Sequence, residues 1–184
     1  MNLPQKHSST HTSTFAVMSG PAQQHNAINL SQGFPDFQID ERLCALLGEA
    51  AREGHNQYAP MPGTPLLRQA IAADISSRYG LDVNPDNEIT VTPGATYAIY
   101  TAFTALLKPG DEVIVFEPAY DSYIPNIETN GAIAVTIELP APGFRVDWNR
   151  VKDAITPRTR AIIVNTPHNP TGATWDKQDW DTLA

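Results

Sequence analysis

Apolar residues in the first third of the chain recur every three or four positions, which is typical of helices that bury one face. Five of them form the first stripe: Leu43, Leu46, Leu47, Ala50 and Ala51. Asp40 precedes this stripe as a predicted N-cap, and Gly54 ends it. A second helix is predicted between Thr64-Pro65 and Gly80. Cys44 lies beside the first stripe, so we predict a packed, unreactive thiol.

From about residue 88 the pattern changes, and short apolar runs alternate with helical segments. The predicted strands cover 88–92, 112–116, 132–137 and 161–165. The predicted helices cover 95–107, 120–128 and 147–155, with a last helix from about Thr174. Strands that alternate with helices indicate a three-layer α/β fold, with a mostly parallel sheet and helices on both of its faces.

The composition of this chain of 184 residues excludes several classes of binding partner. Twenty acidic against twelve basic side chains give a net charge of −8, and such a field repels nucleic acids and anionic membranes. No apolar run reaches the ~18 residues of a membrane-spanning helix. A single cysteine excludes an intrachain disulfide framework and a zinc site of paired thiolates. We therefore expect a cytoplasmic protein with no nucleic-acid partner, no membrane partner and no metal.

The two ends of the sequence differ from its middle. Residues 1–28 contain one Lys and no Asp or Glu, and they are rich in Ser, Thr, His and Gln. We interpret them as a flexible arm with one short helix, and a disordered tail is the alternative. The last predicted helix reaches Ala184 without a Gly or Pro terminator, so we expect that the sequence is cut short there.

Candidate chemistry lies where the predicted strands end. Unusual loops follow three of these strands, at 92–96, 117–120 and 166–172. Open α/β sheets bind ligands beyond the carboxyl ends of their strands. We therefore expect the three loops to meet at one edge of the sheet and to form a site.

The first two loops offer a helix start and an aromatic ring. Gly94 precedes a predicted helix, whose unpaired N–H groups and dipole favour a phosphate, and Thr96 adds a hydroxyl. An ordinary strand-to-helix turn is the alternative, since the loop is neither a Walker loop nor a complete G-x-G-x-x-G. Tyr120 in the second loop can stack on a planar ring or can simply pack under its loop.

Two prolines, Pro167 and Pro170, stiffen the third loop around His168 and Asn169. A rigidly held Asn169 amide can bind a phenolate or carbonyl oxygen. The alternative is a rigid turn in which Asn169 bonds its own backbone. No acidic partner for His168 is identifiable nearby, so we predict a solvated loop residue rather than a base.

Two earlier loops, 31–37 and 57–63, combine glycine and proline with aromatic residues. The first suits a loop that faces a substrate, or a plain turn. Tyr58 in the second can reach a phosphate with its hydroxyl, although partial core burial is the usual environment of a tyrosine.

Taken together and in order, six motifs resemble the class I and II aminotransferases, which are fold-type I enzymes dependent on pyridoxal 5′-phosphate (PLP). The motifs are Asn-Leu-Ser-Gln-Gly-Phe-Pro-Asp-Phe at 29–37, Gln-Tyr-Ala-Pro at 57–60, Thr-Pro-Gly-Ala-Thr at 92–96, Pro-Gly-Asp-Glu-Val at 109–113, Glu-Pro-Ala-Tyr-Asp-Ser-Tyr at 117–123 and Asn-Thr-Pro-His-Asn-Pro-Thr-Gly at 165–172. The resemblance covers about residues 28–180 and is nearest to the methionine and kynurenine branch. It implies an arm at 1–28, a small-domain and substrate-loop segment at 29–45, and the first part of the large PLP-binding domain at 46–184.

The resemblance assigns cofactor-binding roles to the three loops. It implies that Gly94, Ala95 and Thr96 hold the cofactor phosphate and that Tyr120 stacks on the pyridine ring. Asn169 is implied to bond the phenolic oxygen of that ring, which lowers the pKa of the linkage between the cofactor and its lysine.

The two earlier loops receive roles as well. The resemblance implies that Tyr58 reaches the phosphate of the neighbouring subunit's cofactor, which makes the homodimer obligatory and its sites shared. Gly33 is implied to lie near the substrate carboxylate.

The catalytic residues of the family are not recognisable in this chain. The family uses a lysine that holds the cofactor and moves a proton, an aspartate at the pyridine nitrogen and an arginine for the substrate carboxylate. In family members these follow the loop that ends here at Gly172, and we expect them past Ala184. The four lysines present lie outside any Ser-x-x-Lys context: Lys6, Lys108, Lys152 and Lys177.

The expected reaction is ping-pong transfer of an amino group between an amino acid and a 2-oxo acid, with methionine or an aromatic or kynurenine-like amino acid as the donor. PLP-dependent β-elimination at a carbon–sulfur bond is one alternative. A non-catalytic fragment without the essential lysine is another, and a nucleotide-binding doubly wound domain is the third.

Overall fold

The computed structural model describes residues 14–33 and 35–184. Within these residues the chain forms seven helices and three strands. It divides into two compact units, Met1–Met61 and Pro62–Ala184. Residues 1–13 of the predicted arm and Phe34 of the first motif lie outside the described residues.

The first unit contains two helices, α1 (Thr14–Gln24) and α2 (Glu41–Arg52). The helix predicted within the arm is α1. Asp40 caps α2 as predicted, because its side chain accepts a hydrogen bond from the N–H of Arg42 at 2.8 Å. No residue of α2 is buried, and Cys44 is exposed, so the prediction of a packed thiol is wrong. The apolar stripe identifies the face of α2 that is suited to burial, but it does not show which part of the protein packs against that face.

The second unit begins with two helices and continues as alternating strands and helices. Its elements are α3 (Pro65–Tyr79), α4 (Ala95–Leu106), β1 (Glu112–Glu117), α5 (Tyr123–Thr129), β2 (Ile133–Glu138), α6 (Trp148–Ala154), β3 (Thr159–Ile162) and α7 (Lys177–Leu183). Gly80 ends α3 in a left-handed conformation with φ +65°, as its position predicted. Of the helices in residues 14–33 and 35–184, none is both long and apolar enough to span a bilayer.

The three strands form one parallel sheet in the order β2-β1-β3. Val113 of the central strand pairs with Ala134 on one side and with Ala161 on the other. The sheet confirms the predicted α/β architecture.

Strand β1 forms the centre of the core, because helices cover both of its faces. Val113 and Val115 pack towards α4 and α5, whereas Ile114 and Phe116 pack towards α6. Val113, Ile114 and Val115 are fully buried, and burial of one such side chain stabilises a fold by about 1.5–3 kcal/mol. The prediction of helices on both faces is confirmed.

Residues 88–92 do not form a strand, contrary to the prediction from their β-prone side chains. Ile89 is buried, and the N–H of Val91 donates to the carbonyl of Pro62 at 3.0 Å. An extended segment becomes a strand only where a neighbouring strand supplies ladder partners. In the part of the chain that the structure describes, the sheet consists of β1, β2 and β3 alone.

Candidate functional site

The strand order creates a position for a ligand between the ends of β1 and β3. From β1 the chain passes through α5 to β2 on one side, and from β2 it passes through α6 to β3 on the other. Open parallel sheets bind ligands at such a reversal, beyond the carboxyl ends of the strands. The loops that follow β1 and β3 carry Tyr120 and Asn169, so these residues border the expected position.

The start of α4 presents backbone donors to solvent. Gly94 is its N-cap with φ +99°, a conformation that L side chains rarely adopt. A Cβ built at Gly94 meets no atom of the described chain within 4 Å, so the space in front of it is open. Ala95 and Thr96 are exposed, and the first N–H groups of a helix lack intrahelical partners. The site therefore offers N–H donors and the positive end of a helix dipole.

A hydrogen bond joins this helix start to the loop after β1. The hydroxyl groups of Thr96 and Tyr120 lie 3.1 Å apart. Helix α5 begins at Tyr123 rather than near Tyr120 as predicted, so Tyr120 belongs to the loop and not to the helix. The rings of Tyr120 and Tyr123 pack edge to face, with centroids 5.6 Å apart and an interplanar angle of 68°.

Asn165 connects Tyr123 to the loop after β3. With its amide oriented to satisfy its neighbours, Asn165 accepts hydrogen bonds from the Tyr123 hydroxyl at 3.3 Å and from the Asn169 N–H at 3.1 Å. Its nitrogen donates to the carbonyl of Pro167 at 3.1 Å. Burial raises the pKa of Tyr123, and the neighbouring Tyr120 raises it further. Tyr123 is therefore a neutral donor at neutral pH.

His168 is buried, so the prediction of a solvated residue is wrong. Only 7% of its surface is exposed, and its Nδ1 lies 2.8 Å from the hydroxyl of Thr171. Its backbone N–H donates to the carbonyl of Ala173 at 2.8 Å, because the loop folds back on itself. Burial lowers the pKa of His168 and so favours the neutral imidazole. Asn169, the next residue, is exposed.

The second unit thus brings five of the predicted site residues into one series of contacts along the sheet edge. They are Gly94, Ala95, Thr96, Tyr120 and Asn169. The other two belong to the first unit, where Gly33 is exposed and Tyr58 is fully exposed. The alternative of partial core burial therefore does not apply to Tyr58 within the described residues.

Two residues that connect the loops, Tyr123 and Asn165, had no predicted role at the site. Asn165 ends a predicted buried strand at its carboxyl end, and a polar residue at such a position is a signal that could have identified it. Tyr123 carries no comparable signal, because an aromatic residue near a helix start is usually a packing residue.

The sequence model of the family described as aminotransferase class I and II matches residues 25–184. This chain belongs to the class I and II aminotransferases. The fold-type I architecture that the motifs implied is therefore confirmed, and related solved structures support it.

Two relatives show how similar the chain is to characterised family members. A methionine aminotransferase from Escherichia coli is 49% identical over 172 residues, which cover 94% of this chain and 45% of that protein. A probable N-succinyldiaminopimelate aminotransferase from Mycobacterium tuberculosis is 46% identical over 164 residues, which cover 88% of this chain and 41% of that protein.

Crystal structures of family members superpose closely on this aminotransferase chain. An Escherichia coli protein with a methionine aminotransferase function has a TM-score of 0.95 at 47% identity, covering 100% of this chain and 48% of that chain. Aspartate aminotransferase from Thermus thermophilus with maleate has a TM-score of 0.89 at 36% identity, covering 100% and 49%. The chain spans just under half the length of these relatives.

Proposed function

We propose that the protein to which this chain belongs is a PLP-dependent aminotransferase that moves an amino group between an amino acid and a 2-oxo acid by a ping-pong route. Membership of the class I and II family supports this reaction, since these enzymes generally depend on PLP. The contacts that join Thr96, Tyr120 and Asn169 are the observation that carries the proposal, because they bring together at one sheet edge three residues proposed to contact the cofactor.

The start of α4 fits the phosphate group of PLP. Gly94 leaves open space in front of the helix, and the N–H groups of Ala95 and Thr96 lie at its first turn. A dianion is stabilised there by direct hydrogen bonds and by the helix dipole. The Thr96 hydroxyl adds a donor while it remains within hydrogen-bond distance of Tyr120.

The loops after β1 and β3 fit the ring of PLP. Tyr120 is half-buried and held at its hydroxyl, so it can present a ring face for stacking. Asn169 has an exposed side chain on a loop held by Asn165, and its amide can donate to a phenolic oxygen. When bound, PLP supplies an electron sink for the substrate carbanion.

Residues of the first unit are proposed to complete the site of a homodimer. Tyr58 is fully exposed, so its hydroxyl is available to reach the phosphate in the neighbouring subunit. Gly33 is exposed as well and is proposed to lie near the substrate carboxylate. The lysine that holds the cofactor is proposed to belong to the same protein outside this chain.

Methionine is the proposed first donor, with aromatic or kynurenine-like amino acids next. The similarity to the Escherichia coli methionine aminotransferase supports methionine. An aspartate/prephenate aminotransferase from Thermus thermophilus is also 42% identical, over 158 residues that cover 85% of this chain and 41% of that protein. A test of donors therefore includes aspartate and N-succinyl-diaminopimelate beside methionine, phenylalanine and kynurenine.

The test uses the complete gene product, purified with PLP and incubated with each donor and a 2-oxo acid. We expect formation of the 2-oxo acid of the donor together with the amino acid of the acceptor. Borohydride reduction is expected to fix the cofactor on one lysine other than Lys6, Lys108, Lys152 and Lys177. Release of pyruvate and ammonia from cysteine conjugates without exchange of amino groups would instead indicate a β-lyase. Absence of both PLP binding and turnover would refute the proposal.

A further inference from the structure

We propose that Tyr123 and Asn165 form a positioning pair that holds the Tyr120 ring and the Asn169 amide at a fixed separation. The inference rests on the proposed function, since Tyr120 and Asn169 are the residues proposed to contact the cofactor ring. Neither member of the pair is proposed to touch the cofactor itself.

Tyr123 contacts Tyr120 through both its ring and its backbone. The two rings pack edge to face at 5.6 Å, and the N–H of Tyr123 donates to the carbonyl of Tyr120 at 3.1 Å. Edge-to-face packing of this kind restrains both the position and the tilt of an aromatic ring. Tyr123 is also the first residue of α5, whose Ile127 is fully buried in the core. Tyr123 therefore restrains the orientation of Tyr120 relative to a rigid part of the fold.

Asn165 contacts Asn169 from within the same loop. Its carbonyl oxygen accepts from the Asn169 N–H, and its nitrogen donates to the carbonyl of Pro167. These two bonds, each 3.1 Å long, span the first half of the loop and fix the backbone from which the Asn169 side chain projects. The Asn165 side chain thus orients the backbone at Asn169.

The bond between Tyr123 and Asn165 joins the two restraints. The Tyr123 hydroxyl donates to the same oxygen of Asn165 that accepts from Asn169. Both residues are half-buried, so water competes less for this bond than it does at the surface. An aspartate would not replace Asn165, because it cannot donate to the carbonyl of Pro167. The arrangement requires an amide at 165 and a hydroxyl at 123.

The first experiment measures hydrogen exchange of the Asn169 backbone amide in the complete gene product without cofactor. We expect Asn165→Ala to accelerate this exchange by about tenfold, because the amide loses its acceptor. Tyr123→Phe removes one oxygen atom and is expected to accelerate it by a smaller factor. The matched controls Asn149→Ala on α6 and Tyr79→Phe on α3 are expected to leave it unchanged. Equal exchange in Asn165→Ala, Tyr123→Phe and the unmodified chain would overturn the proposal.

The second experiment measures PLP affinity of the complete gene product by tryptophan fluorescence, together with the pH midpoint of its visible absorbance. Each single variant, Tyr123→Phe and Asn165→Ala, is expected to weaken binding about five- to tenfold and to raise the midpoint. The loss of PLP affinity in the double variant is expected to be no larger than the loss in the single variant that binds PLP more weakly. The reason is that both substitutions disrupt the same hydrogen-bonded pair. Losses that multiply would show that the residues act independently and would overturn the pair.

The two experiments separate this inference from the proposed function. If the unmodified protein binds no PLP, the proposed function fails, while hydrogen exchange still decides whether Asn165 holds Asn169. If PLP binds and exchange at Asn169 does not respond to Asn165→Ala, the positioning pair fails and the proposed function stands.

Discussion

The hydroxyl groups of Thr96 and Tyr120 lie 3.1 Å apart, although 24 positions of sequence separate the two residues. Thr96 belongs to the first turn of α4, and Tyr120 follows the central strand β1. The bond therefore ties a predicted phosphate position to a predicted stacking residue. Contact between them depends on how α4 packs against β1, since no local interaction joins the two segments.

Replacement of Thr96 by valine tests whether this hydroxyl serves a phosphate. Thr96→Val keeps the shape of the side chain and removes the donor, so we expect the dissociation constant for PLP to rise about tenfold or more. Titration of the complete gene product by fluorescence measures it. Thr101→Val on the same helix is the matched control, because the Thr101 hydroxyl donates to the carbonyl of Tyr97 within the helix. A similar loss in both variants would argue against a specific role of Thr96.

Replacement of Gly94 by alanine tests the backbone conformation at the start of α4. Gly94→Ala introduces a Cβ at φ +99°, and the open space around it leaves conformational strain as the main cost. We expect the free energy of unfolding in urea to fall by about 1–2 kcal/mol and PLP affinity to fall with it. Gly143→Ala is the control, since a Cβ there lies at an ordinary contact distance of 3.8 Å from Arg145 Cγ and the φ of Gly143 is not positive. An equal loss of stability in both variants would contradict the expectation.

His168 predicts a dependence of stability on pH. Its pKa is lowered by burial from 6.5, so the unfolded chain binds a proton more readily than the folded chain does. Stability is then complete above about pH 6.5 and declines as the pH falls through the lower pKa of the folded protein. His168→Asn is expected to reduce this decline in urea unfolding curves between pH 7.5 and about 5.5. His55→Asn, at an exposed histidine, is measured beside it as the control substitution.

Two carboxylates, Glu112 and Asp176, affect stability at a lower pH than His168 does. Hydrogen bonds from Thr156 and Arg158 hold the pKa of Glu112 below its usual 4.5. The backbone N–H of Asp179 and the side chain of Arg145 hold the pKa of Asp176 below 3.8. Because their folded pKa values are lowered, their contribution is present above these usual values and is lost as the pH falls further. A decline in the free energy of unfolding that begins above pH 5 is therefore assigned to His168. Persistence of this decline in His168→Asn would contradict that assignment.

Tyr58 is expected to act across the proposed homodimer. Tyr58→Phe and Thr96→Val are each expected to weaken PLP binding when they are the only variant present. If the Tyr58 hydroxyl serves the neighbouring subunit, unfolding and refolding the two variants together creates hybrid dimers in which one site is intact. About a quarter of all sites should then regain tight PLP binding, as measured by equilibrium titration. No regain would show that Tyr58 and Thr96 act within one subunit or that Tyr58 has no role.

Local sequence signals predicted most of the fold that positions this site. Asp40 caps α2 through a side-chain hydrogen bond, whereas Gly80 ends α3 and Gly94 precedes α4 because glycine suits the positive φ at both positions. The alternation of strands and helices from β1 to α7 followed from apolar periodicity. These features depend on interactions between residues close in sequence, so they can be predicted from the sequence alone.

The errors have a different physical origin. Residues 88–92 have strand-forming side chains, but a strand also needs a partner, and pairing depends on distant segments. The environment of His168 depends on the return of Ala173 to its backbone, and the exposure of Cys44 depends on what packs on α2. Sequence pattern does not contain these contacts.

By itself, the sequence determined the order of the elements, the glycine at the start of α4 and the loops after β1 and β3 where a ligand is expected. Only the tertiary structure decided that Tyr123 and Asn165 connect those loops, and that Thr96 meets Tyr120. The reason is that backbone sterics and periodicity act over a few residues, whereas these hydrogen bonds form only after the parallel sheet brings strand ends together.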